Sequence, residues 1–198
     1  MELIKKNLGL VITIGIIAIA VMWCISGYNG LVSMDEGVQN KWADVETQYQ
    51  RRADLIPNLV NTVKGYAAHE KETLESVVKA RSEATSVKID PSNMTAEQMA
   101  QYQNAQNGVT SALSKLLLVV EKYPDLKANQ NFQELQSQLE GTENRIAVAR
   151  RDYNAVAKEY NTAVRKFPKN ILAGMFGFEK KEYFEAQEGS EAAPEVKI

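Results

Sequence analysis

The chain has 198 residues, with 25 acidic against 23 basic side chains and a formal net charge of −2. That balance offers no basic surface to a phosphate backbone, which excludes DNA and RNA as partners. A single cysteine and a single histidine leave no disulfide framework, and the paired Glu-x-x-His motifs of a helix-bundle dimetal site are absent.

In chain order, the first predicted element is a membrane span. Leu8 to Ile25 reads LGLVITIGIIAIAVMWCI, without a charge and with one hydroxyl, Thr13. About 18 to 20 apolar residues in a helix cross roughly 30 Å of hydrocarbon, so residues 8–27 form one transmembrane helix. Lys5 and Lys6 precede the run, whereas Asp35 and Glu36 are the first charges after it. By the positive-inside rule residues 1–7 stay cytoplasmic and the body lies outside. The triplet Ala18-Ile19-Ala20 suggests a cleavage site, but apolar residues continue beyond it, which favours retention as an anchor. Trp23 stands before Cys24, where a lipoprotein signal carries a small residue.

Residues 28–178 form the second predicted domain, an all-α antiparallel helix bundle. Leu31, Asp35, Val38, Trp42, Val45, Tyr49, Arg52, Ile56, Leu59, Val63, Tyr66, Glu70, Thr73 and Val77 alternate spacings of four and three, which is helical periodicity. Pro57 interrupts this seam. Loss of its backbone donor predicts a break near Arg52 to Asp54, giving four helices, with three long helices and one bend as the alternative. Ile89 to Asn93 reads as a turn. Thr95 with Gln98 forms a capping box opening a helix to about Tyr123, which Pro124 closes. Asp125, or Asn131 with Glu134, opens the last long helix, which stops before Pro168. There Phe132, Leu139, Ile146, Tyr153, Tyr160 and Phe167 recur every seven residues, the stripe of a coiled coil or bundle. Residues 179–198 form an acidic tail expected to be largely disordered.

Two groups of residues stand out as candidate sites. Arg52 and Glu70 place charges on the apolar seam, and Arg145 or Arg150 of the last helix is the expected partner of Glu70 in a buried charge pair that sets helix register. In the stretch NILAGMFGF, Ile171, Leu172, Met175, Phe176 and Phe178 follow the proline that ends the last helix. They either fold back on the bundle end or contact a membrane surface or a protein. His69 reads as a solvated or capping residue. No glycine-rich phosphate loop is present, no cofactor or metal is expected, and no catalytic residue is marked.

The segment from Tyr28 to Ala84, containing YNGLVSMDEGVQNKWADVETQYQRRADLIPNLV, and a second block from Leu116 to Phe184, containing KYPDLKANQNFQELQSQLEGTENRIAVARRDYNAVAKEYNTAVRKFP, resemble the LemA family of bacterial membrane-anchored helical proteins. The resemblance implies an N-terminal anchor in the bacterial cytoplasmic membrane, an extracytoplasmic bundle, no established catalytic activity, and action at the envelope as oligomers or with membrane-associated partners. Residues and resemblance together point to a non-enzymatic single-span envelope protein that serves as a scaffold or assembly module, partnered by the membrane and by further copies of itself. An adaptor or regulator of a membrane protein such as a protease or transporter is the alternative. An enzyme built from carboxylates alone is a third.

Overall fold

The computed structural model describes residues 2–185. Among them there are six helices and no strand: α1 (Glu2–Tyr66), α2 (Lys71–Ser86), α3 (Ala96–Val120), α4 (Pro124–Lys127), α5 (Gln130–Arg165) and α6 (Lys169–Phe176). The all-α class is as the periodicity required, but the helices outnumber the four expected. The chain separates into two compact units. Among the described residues, one comprises 2–40 and 156–181, the other 41–155 and 182–185.

In the first unit, α1 is long and apolar enough to cross a membrane. Its large apolar side chains between Leu8 and Trp23 are exposed. The hydroxyl of Thr13 donates to the Gly9 carbonyl at 2.9 Å, so the one polar side chain of the run is satisfied within the helix. Packing against other elements begins one turn before Gly27, where Cys24 is half-buried, and continues through Gly27, Leu31 and Val38 on the same face. From α5 this unit buries Ala157, Tyr160, Ala163 and Val164, and from α6 Leu172 and Ala173.

The second unit has its core where α1, α2, α3, α4 and α5 meet. Ile56, Leu59, Val63, Leu74, Val77, Val109, Leu113, Leu116, Leu126 and Phe132 form one cluster there. α1 does not break at Pro57, contrary to the sequence-based expectation. The proline lacks the N–H that would bond the Ala53 carbonyl, and the Arg81 side chain of α2 supplies a donor in its place, Nε to Ala53 O at 2.6 Å. The chain reverses instead at residues 67–70, where Glu70 N–H bonds the Ala67 carbonyl at 3.1 Å. A turn centred there makes the end of α1 and α2 an antiparallel hairpin, with Ala53 opposite Arg81.

The capping box is present at the start of α3. Gln98 N–H donates to Thr95 Oγ1 at 3.2 Å, and Thr95 N–H donates to Gln98 Oε1 at 3.0 Å. Pro124 does not close α3 directly but occupies the first position of α4, where its missing N–H costs nothing. α5 is opened by neither Asp125 nor Asn131. Asn129 accepts from Phe132 N–H at 3.0 Å and caps the helix.

The seven-residue stripe is buried at Phe132, Leu139, Ile146, Tyr153 and Tyr160. It fails at Phe167, which is 81% exposed, because α5 has already ended at Arg165. A straight α-helix drifts about 20° per heptad, so the buried positions migrate to Ala157, Asn161 and Val164. Residues 179–185, placed by sequence in the acidic tail, are also packed: Lys181 and Phe184 are buried. The remainder of that tail, 186–198, lies outside the described residues.

Candidate functional site

Among the described residues of the second unit Arg52 is the most enclosed charge, with 2% of its side chain exposed. Its Nη1 donates to Thr110 Oγ1 at 3.0 Å and to Glu143 Oε1 at 2.9 Å; its Nη2 donates to the Gln106 carbonyl at 3.1 Å and to Gln106 Oε1 at 2.7 Å. The guanidinium also lies over the Tyr49 ring, 5.1 Å from its centroid. α1, α3 and α5 are thereby joined through one planar cation, a geometry that a lysine does not reproduce. Because four acceptor contacts already hold the fork, Arg52 is committed to the fold rather than to a ligand. A cleft of about 310 Å³ beside it is lined by Tyr49, Arg52, Arg81, Tyr102 and Gln106, two of whose members are the arginines already engaged inside the protein.

The expected pairing of Glu70 with Arg145 or Arg150 is not what the structure shows. Glu70 is half-buried at the start of α2 and accepts from the Tyr123 hydroxyl at 3.1 Å. Arg145 donates to Thr142 Oγ1 at 3.3 Å. Arg150 donates to the Glu185 carbonyl at 2.8 Å and lies over the Phe184 ring at 4.9 Å. The seam position of Glu70 misleads because the reversal at residues 67–70 ends the helix on which that seam was counted. His69 lies exposed in the same turn.

The seam position of Asp35, by contrast, falls in an ion pair with a buried lysine, Asp35 itself being half-buried. In the first unit Lys181 is buried, its Nζ 2.8 Å from Asp35 Oδ1 and 5.5 Å from the Tyr160 ring centroid. Asn161 holds the backbone of the same residue in both directions. Its Nδ2 donates to the Lys181 carbonyl and its Oδ1 accepts the Lys181 N–H, each at 2.8 Å. Burial pushes the phenol of Tyr160 up to about 12, with Asp35 and Glu179 adding to the rise. In the second unit Asn154 clamps Phe184 in the same manner, at 2.8 and 2.9 Å, and Phe184 stacks on Trp42 with rings 5.5 Å apart. The signal for these clamps was two asparagines seven residues apart beside an apolar stripe. Nothing in the sequence paired them with Lys181 and Phe184.

The NILAGMFGF residues divide by face. Leu172 is buried against Gly27 of α1, so closely that a Cβ on Gly27 would come 2.5 Å from Leu172 Cδ1. Phe176 and Phe178 meet Tyr28 edge to face, with centroids 4.8 and 5.7 Å apart. Gly177 ends α6 in the left-handed region at φ 74°, which lets Phe178 N–H bond the Ala173 carbonyl at 3.0 Å. Ile171 and Met175, four residues apart on the other side, are 51% and 71% exposed, and Phe176 is 53% exposed. The segment therefore both folds back and leaves an apolar face uncovered.

The LemA family model matches residues 41–198. The chain belongs to the LemA family. The LemA match takes in the Arg52 junction, both asparagine clamps and α6, and it begins after the apolar run. Among LemA-like relatives, magnetosome protein MamQ 2 of Paramagnetospirillum magneticum is 33% identical over 175 residues, covering 80% of this chain and 64% of that protein. Magnetosome protein MamQ of Magnetospirillum gryphiswaldense is 31% identical over 174 residues, covering 79% and 64%. Protein LemA of Metamycoplasma hominis is 23% identical over 160 residues, covering 81% and 69%. The chain thus spans a little under two thirds of the MamQ proteins that it matches.

Proposed function

We propose that this chain is a single-span protein of the bacterial cytoplasmic membrane whose helical body, outside the membrane, acts as a scaffold or assembly module. The observation that carries this reading is the continuity of α1. The apolar run that suits a bilayer is the first part of the same helix that supplies Leu31 and Val38 to the packed core of the first unit. The body's buried charges support a structural role, since Arg52 and Lys181 are both engaged by partners within the fold. The MamQ relatives are named as magnetosome proteins, a name that states no reaction, which is in keeping with the same reading.

Two differently tagged copies expressed together test the proposal. After crosslinking in the membrane, capture of one tag should recover the other copy. Recovery of a different membrane protein with no second copy would favour the adaptor reading instead.

A further inference from the structure

We propose that α6 is an interfacial helix, its exposed apolar edge seated in the lipid surface of the bilayer that α1 crosses. The inference rests on the span assigned above and adds a second, peripheral point of membrane contact. α6 docks on α1 at Gly27, Tyr28 and Gly30, where Lys169 Nζ lies 3.9 Å from the position of a Gly30 Cβ. Gly27 is the last residue of the span assigned to residues 8–27, two residues or about 3 Å past Ile25, where the apolar run ends. α6 therefore meets α1 at the edge of the hydrocarbon, within a helix radius of it. The covered face of α1 begins at Cys24, inside the run itself.

At that height, exposed apolar groups have a lipid surface within reach. Ile171 and Met175 form one edge of α6, Phe176 lies half-open beside Tyr28, and the exposed Phe167 precedes the helix. Basic residues flank this set: Lys166 is exposed, and Lys169 is half-exposed at the start of α6. An apolar edge bordered by lysines is the pattern of a helix lying in the headgroup region, with phosphates accepting from the ammonium groups. The close approach of Leu172 to Gly27 fixes the helix to the anchor, so the contact does not depend on the membrane affinity of an isolated eight-residue peptide.

The test uses the full chain with Cys24→Ser, reconstituted in phosphatidylcholine vesicles with and without phosphatidylglycerol. An environment-sensitive fluorophore is attached to Met175→Cys, to Ile171→Cys or, as reference, to Glu159→Cys, which is exposed on α5. The two α6 probes should emit to the blue of the reference, and lipid carrying a spin label high on its acyl chain should quench them several-fold more. A water-like, unquenched probe at both α6 positions would overturn the proposal. So would a blue-shifted probe that lipid spin labels do not quench, which would assign the face to a protein partner. Alkaline extraction separates the underlying assumption: a chain that stays in the vesicles with α6 probes in water refutes the interfacial helix alone, whereas a chain that washes off refutes the span as well.

Discussion

At the scale of single residues, the fold depends on a few polar groups held inside apolar surroundings. Arg52→Met should lower the stability of the detergent-solubilised chain by about 2 to 3 kcal/mol, because Gln106 and Thr110 lose the cation that satisfies them. Arg52→Lys should recover only part of that loss, since an ammonium cannot reach both arms of the network. Thermal unfolding followed by circular dichroism reads both. Tyr160 makes the opposite case: its hydroxyl oxygen is buried without a hydrogen-bond partner. Tyr160→Phe should raise the melting temperature at neutral pH. The phenol titrates near 10 when unfolded and is pushed up to about 12 when folded, so the unfolded state loses its proton first. Below pH 10 the group is protonated in both states and its contribution does not change with pH; between 10 and 12 stability falls by about 1.4 kcal/mol per pH unit. Denaturation midpoints across that range should decline less steeply in the Phe variant. Periodicity marked Arg52 and Glu70 as charges on an apolar seam and counted Asp35 only as a seam position, and it carries no information on which helix faces any of them. Their partners Gln106, Glu143 and Lys181 are distant in sequence and come close only through the packing.

Among elements, the instructive case is the helix that passes Pro57. The rule that proline ends a helix assumes that the orphaned carbonyl stays unsatisfied, and Arg81 removes that assumption. Arg81→Met should therefore cost about 1 to 2 kcal/mol, and considerably less in a Pro57→Ala background where a backbone donor returns. Equal costs in the two backgrounds, measured by denaturant unfolding, would dissociate Arg81 from the proline. The stripe of α5 gives a second test: Ile146→Asp buries a charge and should destabilise by several kcal/mol, whereas Glu159→Ala on an exposed position should change little. Strong local chemistry was legible in the sequence, as the Thr95–Gln98 box and the heptads through Tyr160 demonstrate. The reversal at residues 67–70 was not, because Ala67-Ala68-His69-Glu70 contains neither proline nor glycine and the apolar spacing runs on through it. The packed segment 179–185 escaped for a related reason, since its order comes from side chains of α5 that hold its backbone.

For the molecule as a whole, the proposed function puts the helical region outside the membrane. The direction rests on Lys5 and Lys6 before an uncharged run that is followed by Asp35 and Glu36. Family membership bears on the body rather than on the run, because the match begins at residue 41. The most direct measurement is labelling of intact cells that carry Cys24→Ser and Ser114→Cys with a membrane-impermeant maleimide; Ser114 is exposed on α3. The account predicts full labelling without opening the cytoplasmic membrane, and labelling that appears only after that membrane is opened would contradict it.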